Sequence, residues 1–403
     1  MNTDARAQTV NLGAGPSMLP TDILMEAAQG LLDYGETGIG VTELSHRSST
    51  FKDLIEQAEN DLRALLDIPT EYAVLFLQGG GTEQFSATLL NMLAAHAAKQ
   101  NGQGAPPPVD YVISGTWSNK AYKEARRLYD PVRQVVDLRK NIGDPSQPIP
   151  EPSEWNLSSI DENPAMLYYC DNETIDGFEF PQEFFQRLPE EYRQRVPIVA
   201  DCSSNILSRP IDIRSHAVVF FGAQKNVGPS GVTIVVVRRD LVVDPDMVQQ
   251  SYFPRIPSTL VYKNAMDNGS LYNTPSIFPI YVSGLGFRKL INEGGVVRAQ
   301  ERASARSKLV YDKLEQHPTV FRATVAHADF RSKMNLTFRI LDAKTGEPSE
   351  TEEARFVKFC DENKVVQVKG HRSVGGIRIS LYNASTLEMA QKVVSLMEQF
   401  IKA

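Results

Sequence analysis

The sequence has little cysteine, little tryptophan and no long apolar run. Its 403 residues include three scattered cysteines, Cys170, Cys202 and Cys360, without CxxC spacing. This pattern argues against a disulfide framework or a zinc site, so we expect no metal and a reducing, cytoplasmic compartment. No apolar stretch approaches the length of a membrane span, and the polar first residues show no signal-peptide core.

Clusters of basic residues are also missing. The net charge is −7, and hydrophobic residues make up 42% of the chain. This balance is typical of a soluble globular protein and argues against nucleic acid as a partner. We expect no membrane partner either. The length favours two domains over one core.

Lys225 stands between two apolar, β-branched runs, residues 217–221 and 232–237, which we predict to be buried strands. The turn between them is rich in Gly, Pro and Ser. Desolvation favours the neutral amine, and imine chemistry with a carbonyl requires a neutral amine. A lysine that only extends from a strand end to water fits the same pattern.

A second apolar strand, residues 196–200, ends at Asp201. The chain between Asp201 and Lys225 is long enough for a crossover to a neighbouring parallel strand. A carboxylate and an amine at one sheet edge suit pyridoxal 5′-phosphate, with the lysine forming a Schiff base and the aspartate facing the ring nitrogen. A structural ion pair is the alternative.

Other predicted strands also end in polar residues. The strand at 72–77 runs into Gly79, Gly80, Gly81 and a helix, a sequence that can form an anion cradle although it lacks a P-loop ending. Trp117 follows the strand at 110–114, and could stack on a planar ligand or pack in a core. The carboxyl ends of such strands are where open α/β sheets bind ligands.

Two helices are predicted near the beginning of the chain, at residues 21–34 and 51–66. The second carries an apolar stripe that we expect in the core, formed by Phe51, Leu54, Ile55, Ala58, Leu62, Leu65 and Leu66. His46 and Arg47 precede it, where a cation could face an anion or simply lie on the surface.

The remaining chain suggests a second domain. Residues 251–274 are predicted to be irregular, residues 275–293 helical, and Gly294 and Gly295 a boundary. Further helices are predicted at 297–316, 352–363 and 387–401, and strands at 319–325, 334–341, 365–368 and 377–381. We therefore expect a large α/β domain over 16–293 and a small α+β domain over 294–403. Residues 1–15 should pack near the site or the small domain.

Eight motifs in order resemble the phosphoserine aminotransferases, a class V family of fold-type I pyridoxal-phosphate enzymes. The resemblance extends from about Asn11 to Asn383. The motifs are Ser45-His46-Arg47, Gly79-Gly80-Gly81, Gly115-Thr116-Trp117, Asn172-Glu173-Thr174, Ala200-Asp201, Gly222-Ala223-Gln224-Lys225-Asn226, Tyr272-Asn273-Thr274-Pro275 and Gly370-His371-Arg372-Ser373-Val374-Gly375-Gly376.

The resemblance implies a role for each matching residue. Lys225 and Asp201 match the Schiff-base lysine and the partner of the ring nitrogen, Trp117 the stacking residue, and Thr174 a neighbour of the cofactor hydroxyl. The residues that match the cofactor-phosphate site are Gly81, Thr82 and Gln224, with Asn273 and Thr274 supplied by a neighbouring subunit. Those that match the substrate site are His46, Arg47, His371 and Arg372.

The implied reaction moves an amino group from L-glutamate to 3-phosphohydroxypyruvate, giving O-phospho-L-serine and 2-oxoglutarate in serine biosynthesis, in a homodimer with shared sites. Lys225 would move the proton at the substrate Cα. Thr82 and Ala14 depart from the family, since many bacterial members have Arg at the first position and some members have Ser at the second. Alternatives are a cysteine desulfurase, a small-amino-acid:glyoxylate transaminase, a non-catalytic cofactor-binding protein or a plain α/β domain.

Overall fold

A computed structural model describes residues 4–248 and 252–402. The strands in chain order are β1 (Val10–Asn11), β2 (Tyr72–Leu77), β3 (Val109–Ile113), β4 (Val132–Asp137), β5 (Met166–Cys170), β6 (Asn172–Glu173), β7 (Phe178–Glu179), β8 (Ile198–Asp201), β9 (Val218–Gly222), β10 (Thr233–Arg238), β11 (Phe321–Ala323), β12 (Asn335–Ile340), β13 (Val365–Val366) and β14 (Ile377–Ser380). The α-helices are α1 (Asp4–Gln8), α2 (Thr21–Leu32), α3 (Ser49–Leu66), α4 (Gly80–Lys99), α5 (Thr116–Leu128), α6 (Glu190–Arg195), α7 (Tyr262–Asp267), α8 (Ile277–Asn292), α9 (Gly295–Gln316), α10 (Glu350–Glu362) and α11 (Leu387–Lys402).

Seven of the described strands form the central sheet, in the order β2-β10-β9-β8-β5-β3-β4. Neighbouring strands are parallel, except that β10 is antiparallel to both β2 and β9. Both faces of this sheet are buried in hydrophobic clusters, as expected for strands that are apolar on both sides. The predicted mostly parallel sheet flanked by helices is confirmed.

The apolar stripe predicted near the beginning of the chain is confirmed in α3. All seven of its residues are buried, and they pack in the cluster on one face of the central sheet. The helix begins after Ser48, whose Oγ accepts a 3.2 Å hydrogen bond from Phe51 N. This is a favourable N-cap, because it satisfies an N–H group that has no partner within the helix.

The C-terminal part has its own sheet and core. The antiparallel strands β11, β12 and β14 form a three-stranded sheet, and their apolar residues pack with those of α9, α10 and α11. Strand β1 pairs in parallel with β13, so the beginning of the chain joins this part. The elements predicted for residues 297–401 are confirmed, whereas the division into domains at residues 293 and 294 stays a prediction.

The prediction of an irregular segment over 251–274 was wrong for part of its length, and Ser251 lies outside the described residues. Helix α7 forms there because distant side chains hold its first residue. Tyr262 N donates to Asn91 Oδ1 at 3.0 Å, and Tyr262 OH donates to Gln84 Oε1 at 2.7 Å.

Two smaller differences concern the bounds of elements. No strand was predicted for residues 172–179, which contain the two-residue strands β6 and β7, paired as a hairpin. Helix α2 ends at Leu32, two residues before its predicted end, because Asp33 takes an extended backbone conformation. Within the described residues, we find no helix with the length and apolar character needed to cross a membrane.

Candidate active site

Asp201 and Lys225 lie at the same edge of the central sheet. Asp201 is the last residue of β8, which pairs in parallel with β9, and Lys225 follows β9 in the turn to β10. The predicted juxtaposition of carboxylate and amine is what parallel neighbouring strands produce.

A pocket opens at this edge of the sheet. Seven of the nine residues predicted to bind a cofactor line this one pocket. They are Gly81, Thr82, Trp117, Thr174, Asp201, Gln224 and Lys225. The structure thus brings together residues from five separate stretches of the chain.

Lys225 is partly buried over the pocket. Its Nζ donates a 2.7 Å hydrogen bond to Thr174 Oγ1 and lies 5.5 Å from the centroid of the Trp117 ring. Desolvation lowers the pKa of Lys225, and the negative charge of Asp201 partly opposes this shift. The amine is therefore more easily deprotonated than an exposed lysine.

Asp201 is held by one of its two carboxylate oxygens. Oδ1 accepts hydrogen bonds from Ser203 N at 3.0 Å and Ser203 Oγ at 2.5 Å, whereas Oδ2 accepts, from the residues that the structure describes, a single 3.5 Å bond from Tyr168 OH. Burial raises the pKa of Asp201, while Ser203 and the charge of Lys225 lower it. Oδ2 is therefore the oxygen that can face a cationic ring nitrogen. Ser203 was missed in the sequence, although an Asp followed two residues later by Ser is a common local hydrogen-bonding pattern.

The glycine run forms the predicted cradle at the start of α4. Gly79 and Gly80 have φ values of +88° and +70°, a backbone that favours glycine. No side chain of the described part of the chain caps this helix start, so N–H groups of its first turn remain available to an anion. Gly81 lies beside Ser203, since a Cβ there would come 3.3 Å from Ser203 Oγ.

Trp117 is half-buried in the first turn of α5, with its ring lining the pocket. Its Nε1 is buried and has no hydrogen-bond partner among the described residues. A buried N–H without a partner is unusual in a core, so the ring is placed to contact a ligand as well as protein.

Asn273 and Thr274 do not line the pocket of their own chain within the described residues. Both are exposed, and Thr274 O accepts a 2.9 Å hydrogen bond from Gln78 Nε2, next to the glycine run. His46 and Arg47 also lie away from this pocket, in the segment before α3, where Arg47 is exposed and His46 partly so. This exposure leaves all four available to a second copy of the chain.

His371 belongs to a group of cations near the pocket. Burial lowers the pKa of His371, and the positive charges of Arg378, Lys120 and Arg372 lower it further. Lys120 Nζ lies 4.1 Å from the centroid of the Trp117 ring, which places this group beside the site.

Arg47 and Arg372 could be held by nearby carboxylates or be available to a ligand, and the contacts of residues 4–248 and 252–402 favour the second. Neither residue forms an ion pair there. Glu43, a carboxylate close to Arg47 in the sequence, accepts a 2.8 Å hydrogen bond from Gly40 N.

Arg378 was missed in the sequence. It lies in β14 between the buried Ile377 and Ile379, and its Nη1 donates a 3.2 Å hydrogen bond to Thr174 O. Burial lowers the pKa of Arg378, and the described residues offer it no ion-pair partner. An arginine inside an apolar strand was the signal that could have found it, because a buried charge without a partner is costly.

Cys170 lines the same pocket, so the desulfurase alternative can be tested against its geometry. Its thiol is buried at the end of β5 and donates to Asn172 O at 3.4 Å. Burial raises the pKa of Cys170 well above the usual value, which disfavours a reactive thiolate. This cysteine does not fit a nucleophile on a mobile loop.

The loop over residues 12–17 covers Lys225 from the other side. Ser17 N donates to Gln224 O at 2.9 Å, and a Cβ at Gly15, whose φ is +129°, would come 3.0 Å from Lys225 Cγ. Ala14, a departure from the family, uses its carbonyl to accept a 2.8 Å bond from Tyr382 OH.

Comparisons with known proteins agree with this geometry. The family model for aminotransferase class-V matches residues 9–393. The phosphoserine aminotransferase of Drosophila melanogaster is 40% identical over 98% of this chain and 98% of its own length. The phosphoserine aminotransferase structure from Bacillus circulans subsp. alkalophilus has a TM-score of 0.85 at 36% identity, covering 98% of this chain and 99% of that one.

A further structure, PLP-bound phosphoserine aminotransferase from Trichomonas vaginalis, has a TM-score of 0.81 at 34% identity, covering 97% of this chain and 99% of that one. These neighbours confirm the fold-type I architecture that the motifs implied. The chain therefore belongs to the aminotransferase class-V family.

Proposed function

We propose that this protein is a phosphoserine aminotransferase, which transfers the amino group of L-glutamate to 3-phosphohydroxypyruvate and so serves serine biosynthesis. Relatives with that name match nearly the whole chain, which supports the choice of substrate. The observation that carries the chemistry is the placement of Lys225 and Asp201 on one pocket.

The cofactor is pyridoxal 5′-phosphate, as the sequence predicted, and the pocket fits it. The glycine cradle offers backbone N–H groups to the phosphate, with Thr82 and Gln224 beside it. Asp201 Oδ2 is free to face the ring nitrogen, and the Trp117 ring offers a flat surface. When bound, this cofactor supplies an electron sink for the negative charge that develops at the substrate Cα.

Lys225 is assigned two tasks. Its amine would hold the cofactor covalently and, once released from it, would act as the base that moves the proton at the substrate Cα. The lowered pKa of Lys225 favours both, because each needs the neutral amine. Thr174 orients this amine through its 2.7 Å hydrogen bond, and Asp201 keeps the ring nitrogen protonated.

The cations near the pocket are assigned to the substrate. Arg378 and Lys225 both donate hydrogen bonds to Thr174, and we assign Arg378 to the carboxylate that both substrates share. His371 and Arg372 are assigned to the more distant phosphate or side-chain carboxylate. Arginine can bind such groups with two parallel hydrogen bonds.

A homodimer completes this assignment. His46, Arg47, Asn273 and Thr274 match functional positions of the family but do not line the pocket of their own chain. We assign the first two to the substrate and the last two to the cofactor phosphate of a neighbouring subunit. The three cysteines are free and buried, which supports a reducing, cytoplasmic location.

The test compares two keto acids in the presence of glutamate, 3-phosphohydroxypyruvate and unphosphorylated hydroxypyruvate, by following 2-oxoglutarate formation. We expect kcat/KM to be higher for the phosphorylated substrate by about 10- to 100-fold, the size of one charge-assisted hydrogen bond. Equal values for the two substrates would overturn the proposed specificity, and a lack of transamination with either would overturn the activity.

A further inference from the structure

Two carboxylates hold the beginning of helix α5, which carries Trp117. Glu173 Oε2 accepts a 2.8 Å hydrogen bond from Trp117 N, and Glu173 Oε1 accepts one of 2.8 Å from Ser118 N. Asp176 Oδ2 accepts a 2.7 Å bond from Thr116 N. Three consecutive N–H groups that lack partners within the helix are thus bound by two acids. We call Glu173 and Asp176 the double cap.

The double cap packs closely against the backbone it binds. A Cβ at Gly115 would lie 2.6 Å from Asp176 Oδ2 and 2.7 Å from Glu173 Cδ, so glycine is required there for both carboxylates to approach. The side chain of Ser118 adds a 2.6 Å hydrogen bond to Glu173 Oε1. The start of α5 therefore cannot shift without breaking several short hydrogen bonds.

Burying the carboxylates of Glu173 and Asp176 costs free energy, so we expect a role of the double cap beyond stabilising the helix. Glu173 is fully buried, and neither acid forms an ion pair within residues 4–248 and 252–402. Burial raises the pKa of Glu173 to about 7, and the neighbouring charge of Asp176 contributes. A simple helix cap needs only one side chain, commonly an exposed Ser, Thr or Asp.

The same hairpin also holds the reactive lysine. Thr174, which follows Glu173 directly, accepts the hydrogen bond of Lys225 Nζ through Oγ1 and that of Arg378 Nη1 through its carbonyl. A segment of four residues, 173–176, thus fixes both the backbone of Trp117 and the amine of Lys225. The ring of Trp117 lies on the same pocket, with its centroid 5.5 Å from Lys225 Nζ.

We propose that Glu173 and Asp176 are positioning residues that set the Trp117 ring relative to Lys225, and through it the orientation and affinity with which the site holds its cofactor. The inference rests on the proposed function only in that the pocket binds pyridoxal phosphate. It assigns neither acid a contact with substrate.

The test uses Glu173→Gln, which keeps the size of the side chain but turns an NH2 group toward N–H donors. Both this variant and its reference carry Trp155→Phe, so that Trp117 is the single tryptophan of the chain. The readouts are quenching of Trp117 fluorescence on cofactor titration, the dissociation constant for pyridoxal phosphate, and circular dichroism of the bound-cofactor absorption band.

Glu179→Gln is the matched control. Glu179 is a second buried carboxylate on the same hairpin, but it accepts hydrogen bonds from Asn205 and Lys333 N and pairs with Arg209 at 3.5 Å, and it forms no hydrogen bond to α5 within the described residues. We expect both variants to lower the thermal midpoint. Only Glu173→Gln should weaken cofactor binding, by about tenfold, and change the fluorescence and dichroism of the complex.

If Glu173→Gln and Glu179→Gln leave the cofactor signals alike and unchanged, the double cap is structural only and the proposal fails. Should Glu173→Gln not fold, Asp176→Asn is measured against the same control, with the same two outcomes. These readouts require cofactor but no keto acid. Failure of the phosphorylated-substrate assay therefore leaves them interpretable, and the two proposals can fail separately.

Discussion

The Nζ atom of Lys225 donates a 2.7 Å hydrogen bond to Oγ1 of Thr174. This contact joins the turn after β9 to the segment after β5, two strands that lie on opposite sides of β8. Because both residues line the pocket, the amine is held in place over the space that a ligand fills.

Lys225→Ala should abolish the covalent attachment of cofactor while leaving the fold intact. Lys225 is the amine assigned to that bond, and it lies in a turn whose flanking strands are buried. Borohydride reduction of the holoprotein followed by peptide mapping checks this. Lys120→Ala is the control, because Lys120 also lies near Trp117 and should keep the adduct. An adduct on the same peptide of Lys225→Ala would contradict the assignment.

The rate of cofactor attachment should rise with pH through a midpoint below 10.5, the ordinary lysine pKa. Desolvation lowers the pKa of Lys225, and the neutral amine that attacks is therefore present at lower pH. Because the charge of Asp201 raises this pKa, Asp201→Asn should move the midpoint lower still. Stopped-flow absorbance of apoprotein mixed with cofactor measures it. A midpoint at or above 10.5 would contradict the shift.

Asp201→Asn should retain cofactor but lower kcat by about 100-fold, since a neutral amide does not hold the ring nitrogen protonated and a charge-assisted contact is lost. The cofactor content of the purified variant checks retention of the cofactor, and steady-state kinetics checks kcat. Tyr168→Phe, which removes only the 3.5 Å contact to Oδ2, should have a smaller effect. Near-normal turnover in Asp201→Asn would assign the role to another group.

Mixed dimers should recover activity from two inactive variants. One variant is Lys225→Ala, and the other carries bulky residues at Asn273 and Thr274, which are exposed on their own chain. If each site uses both chains, a mixed dimer has one intact site, and activity returns after subunit exchange. No recovery after exchange has been verified would show that these residues do not serve the neighbouring site.

Arg372→Ala should lower kcat/KM for the phosphorylated keto acid by about 10- to 100-fold. The ratio of kcat/KM between the phosphorylated substrate and hydroxypyruvate should therefore decrease. Arg378→Ala should weaken both substrates alike, because it is assigned to the carboxylate they share. Arg355→Ala, on the surface of α10 beside Glu352, is the control. If Arg372→Ala weakens both substrates equally, Arg372 binds the shared carboxylate instead. If neither weakens, its phosphate assignment fails.

Prediction from the sequence was most accurate where the local hydrophobic pattern and the geometry of a sheet or helix indicate the same structure. Two β-branched runs around Lys225, and a strand ending at Asp201, were enough to place both residues at one sheet edge, because parallel neighbours align their carboxyl ends. The stripe of α3 was predictable for a similar reason, since its period matches a helix.

Contacts between distant segments could not be predicted in this way. Arg378 meets Thr174 across 204 positions of sequence, and α7 depends on Asn91 and Gln84 of another helix. Glu173 lies within the motif Asn172-Glu173-Thr174, but its proposed role depends on contact with the backbone of α5, which no local sequence pattern indicates. Hydrophobic periodicity describes a single segment, whereas each of these contacts forms between two segments that are distant in the sequence.

The pairing of β1 with β13 limits how the chain can be re-engineered. Residues 10–11 pair with residues 365–366 through backbone hydrogen bonds. A few residues later, Ser17 forms a backbone hydrogen bond with Gln224. Residues 10–17 thus connect the C-terminal part of the chain to the turn that carries Lys225. Trimming this segment, or opening a permuted chain within it, would release both attachments at once, so new termini or fusion points are better placed elsewhere.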